Sequence, residues 1–274
     1  MEYLLPRGRR ARFQRRASRL LDAAEDRPRG PRLVELEVVV PGLDPAHDGL
    51  RVAHLTDLHV GMLTPDRKIL RALRRAQAAK PDLVVMTGDF VCYSPKFVGR
   101  LAELIGGLEA PVYAVLGNHD YWTDGQGVRQ VLERAGYAVL RNGHSEITLR
   151  HAPLTIVGID DAVTGHADPE RAFRGARSHG SRLVLTHVPG IADPAATYGA
   201  GLIVAGHTHG GHVVIPRVTA GIARRLGSRY LAGFYRVGDS LLYVNCGIGS
   251  SSVPIRAGAP SEVAIFTLRA PVPQ

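Results

Sequence analysis

Five short motifs constrain this chain more than its composition does: Asp57-Leu58-His59, Gly88-Asp89, Gly117-Asn118-His119-Asp120, His187, and Gly206-His207-Thr208-His209-Gly210-Gly211. Each stands where an apolar run gives way to a loop, so the fold must bring several strand ends to one place. In extended backbone, residues i and i+2 point the same way and i+1 points opposite. Asp57 with His59, and His207 with His209, are therefore expected to present two groups each to one small volume. The groups are carboxylate, imidazole and amide oxygen, with no thiolate. That donor set suits divalent manganese, iron or zinc rather than a structural cysteine-zinc site, and it implies hydrolysis at a two-metal centre, not electron transfer.

The runs between the motifs set the fold class. Residues 33–41 and 50–56 read as strands, and the second ends on Asp57. A helix is expected over Pro65 to Ala79, with Pro in its first turn and Ile69, Leu70, Leu73 and Ala76 at helical spacing. Residues 82–87 form a buried-type strand delivering Gly88-Asp89, a helix follows near 96–108, and Val112 to Leu116 delivers Gly117 to Asp120. Such alternation marks parallel βαβ units, whose ligands collect beyond the carboxyl ends of the strands. The second half has less helix. Strands near 137–141, 146–150 and 154–159 suggest an antiparallel stretch, and a helix near 169–178 leads to strand 182–186 and His187. Residues 202–205 deliver Gly206 to Gly211, and strands at 229–236, 240–246 and 262–268 close the chain. The expected architecture is α/β, a four-layer αββα sandwich of two mixed sheets flanked by helices.

A chain of 274 residues, 45% hydrophobic, suffices for one large domain over 33–274, preceded by a basic extension over 1–32. The net charge of +9 is concentrated in front: Arg7, Arg9, Arg10, Arg12, Arg15, Arg16 and Arg19 lie in a stretch without acids, so no specific nucleic-acid partner is expected of the body. Phe13, Ala17, Leu20, Leu21 and Ala24 share one helical face within this extension, which reads as an interfacial helix for an anionic membrane surface or as a disordered basic tail. No apolar run approaches the roughly 20 residues of a membrane span. Cys92 and Cys246 cannot build a disulfide framework. A cytoplasmic location, peripheral to the inner face of the membrane if the extension binds it, is the expectation.

Taken alone, a histidine after an apolar strand, such as His187, is ordinarily a hydrogen-bonded structural residue. The five motifs in order supply an unbroken ligand set, and over nearly all of residues 50–269 they resemble the calcineurin-like metallophosphoesterase superfamily. The resemblance implies that Asp57, His59 and His209 hold one metal, that Asn118, His187 and His207 hold the other, and that Asp89 bridges them. It also implies that His119 serves the leaving oxygen as general acid. His54, His144, His151, His166 and His179 belong to no motif and read as surface or packing residues, as does His212 beside the Gly210-Gly211 turn.

One departure concerns His119. Several branches of the superfamily, protein serine/threonine phosphatases among them, carry an aspartate three residues after the bridging carboxylate, and it pairs with the catalytic histidine. Cys92 stands at that position, read as a small packing residue, and Tyr93 replaces the arginine that follows. Protein-phosphatase activity is not expected, and Asp120 becomes the candidate for orienting His119. The chain is most similar to a bacterial branch of small phosphodiesterases and UDP-diacylglucosamine pyrophosphatases of lipid A synthesis. The residues carrying that likeness are Asp48-Gly49-Leu50-Arg51 before Thr56-Asp57-Leu58-His59, then Gly117 to Trp122, and Gly247-Ile248-Gly249 with Pro254-Ile255-Arg256. Arg256 is a candidate for holding a substrate phosphate, because its planar fork matches phosphate oxygens. The expected activity is two-metal hydrolysis of a phosphodiester or pyrophosphate, with manganese favoured. The competing readings are a non-catalytic metal-binding scaffold and a nuclease.

Overall fold

The computed structural model describes residues 30–211, 229–251, 256 and 258–272. The extension over 1–32, apart from Gly30, Pro31 and Arg32, lies outside the described residues, as do His212 and the Pro254-Ile255 pair.

The apolar runs become strands and the amphipathic ones helices. In the first half β1 (Arg32–Val39) and β2 (Arg51–Leu55) precede α1 (Asp66–Ala78), β3 (Leu83–Thr87), α2 (Lys96–Leu104), β4 (Val112–Val115), α3 (Asn118–Arg134) and β5 (Ala138–Val139). The second half runs β6 (Gly143–Leu149), β7 (Ala152–Gly158), α4 (Pro169–Phe173), β8 (Arg182–Leu185), α5 (Ala192–Ala196), β9 (Leu202–Ala205), β10 (Gly233–Val237), β11 (Ser240–Val244) and β12 (Glu262–Arg269). They assemble two mixed six-stranded sheets, ordered β1-β12-β2-β3-β4-β5 and β10-β11-β9-β8-β7-β6.

Strand alternation sorts the core into layers. On β3, Leu83 and Val85 join Val52, Val115, Ile156, Leu185 and Val204 between the two sheets. Val84 and Met86 face the other way, onto Ile69, Leu73, Leu101, Val128 and Leu132 of the helices. On the far side, Val157, Val184 and Ile203 pack on Phe173, Ala192 and Ala195. Burying each of the larger aliphatic side chains contributes about 1.5–3 kcal/mol, and the result is a sheet pair covered by helices on both outer faces.

Parallel pairing then aligns the strand ends that matter. Leu55 lies opposite Met86, Thr87 opposite Val115, and Leu185 opposite Val204. The carboxyl ends of β2, β3 and β4 therefore reach one level in the first sheet, and those of β8 and β9 face them from the second.

Several elements differ from expectation. Asn118 to Arg134 form the longest of the described helices, where no helix was expected; its start is polar, and Asp124 between two helical stretches has non-helical torsions (φ −170°, ψ 77°). The segment near 137–141 shrinks to Ala138 and Val139 and pairs parallel with β4 in the first sheet. Only β6 and β7 form the antiparallel pair there. The helices near 96–108 and 169–178 stop early, at Leu104 and Phe173. Gly106 (φ 136°) and Gly175 (φ 84°) take up positive φ just beyond each, a conformation that ends a helix.

Candidate metal centre

Five of the seven ligand candidates lie in left-handed rather than extended backbone. Asp57, His59, Asp89, His207 and His209 all have positive φ, between 45° and 70°, so the alternation argument for pairing Asp57 with His59 and His207 with His209 fails in its mechanism. Left-handed backbone costs a non-glycine residue roughly 1–2 kcal/mol, and a lattice of hydrogen bonds between the loops offsets this. Asp57 donates its N–H to Gly88 O at 3.0 Å, His59 to Asp89 O at 2.9 Å and Val60 to Phe90 O at 2.8 Å. The glycines beside the ligands are required by space. A Cβ on Gly88 (φ 88°) would lie 2.5 Å from the Gly117 nitrogen, and one on Gly117 would overlap the Asp89 carboxylate.

These loops bring the expected residues into two groups. In the first, His59 Nε2 and His209 Nε2 lie 3.0 Å apart, and Asp57 Oδ1 is 3.7 Å and 3.4 Å from them respectively. In the second, His187 Nε2 stands 3.1 Å from Asn118 Oδ1 and 3.2 Å from His207 Nδ1. Asp89 Oδ2 reaches both groups, at 3.4 Å from His59 Nε2 and 3.3 Å from His187 Nε2.

The donor atoms fit divalent ions. His187 Nδ1 lies 2.7 Å from the Thr87 carbonyl, which can only accept, so Nδ1 carries the proton and Nε2 is turned toward Asn118 and Asp89. Asp57 Oδ1 is fully buried without a hydrogen-bond partner, a costly state for a carboxylate unless a cation stands beside it. Asp57, His59 and His209, and likewise Asp89, His187 and His207, place one ligand atom each within 4.8 Å of one another. Burial alone would depress the His59 and His187 imidazoles, but the carboxylates of Asp57 and Asp89 outweigh it and raise both to about 10. The centre thus draws in positive charge, as protons or as metal.

A layer of threonines supports the ligands. Thr56 Oγ1 donates to Asp57 Oδ2 at 2.8 Å and to Thr87 O at 3.1 Å, while His54 Nε2 lies 2.8 Å from Thr87 Oγ1. The signal was present in the sequence, since a threonine immediately precedes both Asp57 and Gly88. His54 is a packing residue, as expected. It is fully buried, and burial lowers its pKa to about 3.

His119 occupies the second position of α3, so the helix rather than strand alternation aims it. Its ring meets His59 edge-on at 4.9 Å between centroids, and burial lowers its pKa. Its atoms also fall within 4.8 Å of His59 and Asp89 ligand atoms. Cys92 is buried with Sγ 3.9 Å from the His59 carbonyl.

Two expectations are corrected. Asp120 does not orient the His119 ring: Oδ1 accepts the N–H groups of Phe90 and Val91 at 2.8 and 3.0 Å, and Oδ2 accepts that of Gly117 at 3.0 Å. It braces the Asp89 loop against the start of α3. Arg256 does not offer its fork to a phosphate. Nη1 donates to the Cys246 carbonyl at 2.6 Å, Nη2 donates to the Gly249 carbonyl and lies 2.8 Å from His209 Nδ1, and burial lowers its pKa. Both terminal nitrogens of the guanidinium are thus engaged behind His209, while the buried Nε has no hydrogen-bond partner.

Asp57, His59, Asp89, Asn118 and His187 are buried, whereas His119 and His207 are partly exposed, so the centre opens to solvent past these two histidines. Beside His207 lies a cavity of about 190 Å³ lined by Pro189, Asp193, Arg229 and Tyr230 among others.

Residues 50–211, more than half of the chain, match the family described as calcineurin-like phosphoesterase. The chain belongs to this family. It is accordingly a metal-dependent phosphoric ester hydrolase. Among similar proteins, the metallophosphoesterase YkoQ of Bacillus subtilis is 33% identical over 230 residues, covering 80% of this chain and 83% of its own. Phosphodiesterase YaeI of Escherichia coli is 29% identical over 206 residues, covering 73% and 75%. The UDP-2,3-diacylglucosamine pyrophosphatase LpxG of Chlamydia muridarum is 24% identical over 274 residues, covering 80% and 83%. Among the described residues, no helix of this phosphoesterase is long and apolar enough to cross a membrane.

Proposed function

We propose that this phosphoesterase hydrolyses a phosphodiester or pyrophosphate bond at a two-ion centre, and that its substrate is lipid-linked, of the UDP-diacylglucosamine type. The observation that carries the reading is the position of Asp89 Oδ2, within 3.4 Å of an imidazole nitrogen of each ligand group. Asp57, His59 and His209 would hold one ion, and Asn118, His187 and His207 the other, with Asp89 placed to serve both. When bound, the ions supply Lewis acidity and a water of lowered pKa; the thiolate-free donor set suits manganese, iron or zinc, with manganese favoured. Thr87 and Thr56 fix the ligand orientations from behind. His119 donates an N–H to the leaving oxygen, which it can do as imidazolium or as neutral imidazole. The names of YaeI and LpxG support the diester and pyrophosphate classes.

A hydrolysis screen of phosphomonoesters, phosphodiesters and nucleotide-sugar lipids with added manganese tests the reading. Turnover of diesters or nucleotide-sugar lipids is expected, and loaded protein inert toward every class would favour the scaffold reading instead. The arginine-rich extension would bring the enzyme to an anionic membrane surface, each basic residue contributing about 1 kcal/mol. Deleting residues 1–29, which stops short of β1, should then abolish salt-sensitive co-sedimentation with anionic vesicles while sparing hydrolysis of a soluble diester. Co-sedimentation identical for both proteins would reject it.

A further inference from the structure

Large apolar side chains are exposed on the loops and the helix start that carry the ligands: Met62 is 73% exposed, Tyr93 50% and Trp122 63%. Clustered exposed apolar side chains mark binding surfaces, whereas scattered ones do not. These are clustered by the backbone. Val60 and Val91 form a parallel bridge, so Met62 and Tyr93, each two residues further on, leave the centre on adjacent loops. Trp122 follows His119 by three positions on α3, on the same helical face.

His119 is where they meet. The Trp122 ring stands edge-on to it at 5.1 Å and 71°, and the Tyr93 ring at 6.3 Å and 75°. On its inner side His119 meets His59 at 4.9 Å and 89°. The imidazole thus has a candidate metal ligand behind it and two uncharged aromatic rings in front, and it is itself partly exposed. A substrate whose leaving oxygen comes to His119 must lay the substituent on that oxygen against Trp122 and Tyr93. Apart from the Tyr93 O–H and the Trp122 N–H, these rings have little to offer a carboxylate or a free phosphate, and their faces have much to offer a flat ring or an alkyl chain.

We propose that Trp122 and Tyr93 form a lip that selects substrates by the leaving group, and that the leaving group carries apolar surface, as a planar ring or a hydrocarbon chain, either on the leaving oxygen itself or, in a pyrophosphate, just beyond the phosphate that departs. The assignment rests on His119 serving the leaving oxygen, and it adds which half of the substrate is recognised and by what chemistry.

Trp122 is the only tryptophan of the chain, so its fluorescence reports the lip directly, without turnover. With the full chain loaded with manganese, benzylphosphonic acid or a long-chain alkylphosphonic acid, each holding its apolar group through an uncleavable P–C bond, should shift the emission in a saturable way. Inorganic phosphate, binding the same centre, should not. An aryl or alkyl phosphonate that competes with phosphate yet leaves the emission untouched would overturn the proposal, whatever the fate of the hydrolysis reading. The kinetic arm uses methyl phosphodiesters whose leaving alcohols are matched in acidity but are aryl, long-chain or compact. Trp122→Ala should cut the preference for aryl or long-chain over compact leaving groups by about 10- to 100-fold in kcat/KM, the scale of one aromatic contact, and Trp122→Phe should restore most of it. A larger loss for aryl identifies a ring, and a larger loss for long chains a hydrocarbon. An unchanged preference, with all substrates slowed equally, would show that Trp122 merely props His119 and would reject the lip.

Discussion

Oδ1 of Asp89 accepts the backbone N–H of His119 at 2.9 Å. The bond fixes the carboxylate so that Oδ2 alone faces the two ligand groups, and it couples the shared ligand to the residue assigned to the leaving oxygen. Both depend on Gly117, where any side chain would collide with the Asp89 carboxylate.

His119→Ala should lower kcat by roughly 10²–10⁴ for a phosphodiester with a poor leaving group. The loss should shrink toward nothing for 4-nitrophenol, which departs without help. Metal content should stay at the wild-type level, because the backbone N–H to Asp89 is retained. Equal losses for good and poor leaving groups, or loss of metal, would remove His119 from this role.

Asp120→Asn tests the bracing contact. The amide keeps one acceptor and turns an N–H₂ toward backbone donors that Asp120 now satisfies, so unfolding in urea should show a loss of about 2–4 kcal/mol. The leaving-group dependence of kcat should stay as in the wild type. A stable variant whose dependence on the leaving group is altered would return Asp120 to the role of orienting His119.

His54 gives the fold a pH dependence of defined sign. Its folded pKa of about 3 lies below the unfolded value of 6.5, because burial opposes charging and Nδ1 has no partner. The stability it protects is complete above pH 6.5 and is lost as pH falls from there toward 3, where the unfolded chain binds a proton that the folded one refuses. In metal-free protein, wild type should lose up to about 1.4 kcal/mol per pH unit more across this window than His54→Phe. Superimposable stability curves would show that His54 is not the neutral buried group described.

The ligand motifs were legible because they are local: each lies within a few residues of a strand end, and the order of strands and helices implies where those ends gather. The torsions that aim them were not. Period-two alternation describes strands, and Asp57, His59 and Asp89 sit just past theirs in left-handed loops held by neighbouring loops. Residues 118–134 hid their helix behind a polar first turn and an Asp124-Gly125-Gln126-Gly127 interruption, although Val128, Val131 and Leu132 carry its buried face. Arg256 and Asp120 were misassigned for a common reason. A long or charged side chain takes its partners from tertiary neighbours, here the Cys246 and Gly249 carbonyls and the Phe90 and Val91 amides, which no spacing rule contains.

Metal stoichiometry measures the central claim most directly. Elemental analysis of manganese-reconstituted protein should find two ions per wild-type chain, and Asp89→Asn should weaken both sites together, since the lost charge is the one that the two groups share. One ion or none in the reconstituted wild type, or a variant that loses a single ion and keeps the other at wild-type affinity, would contradict a centre bridged by Asp89.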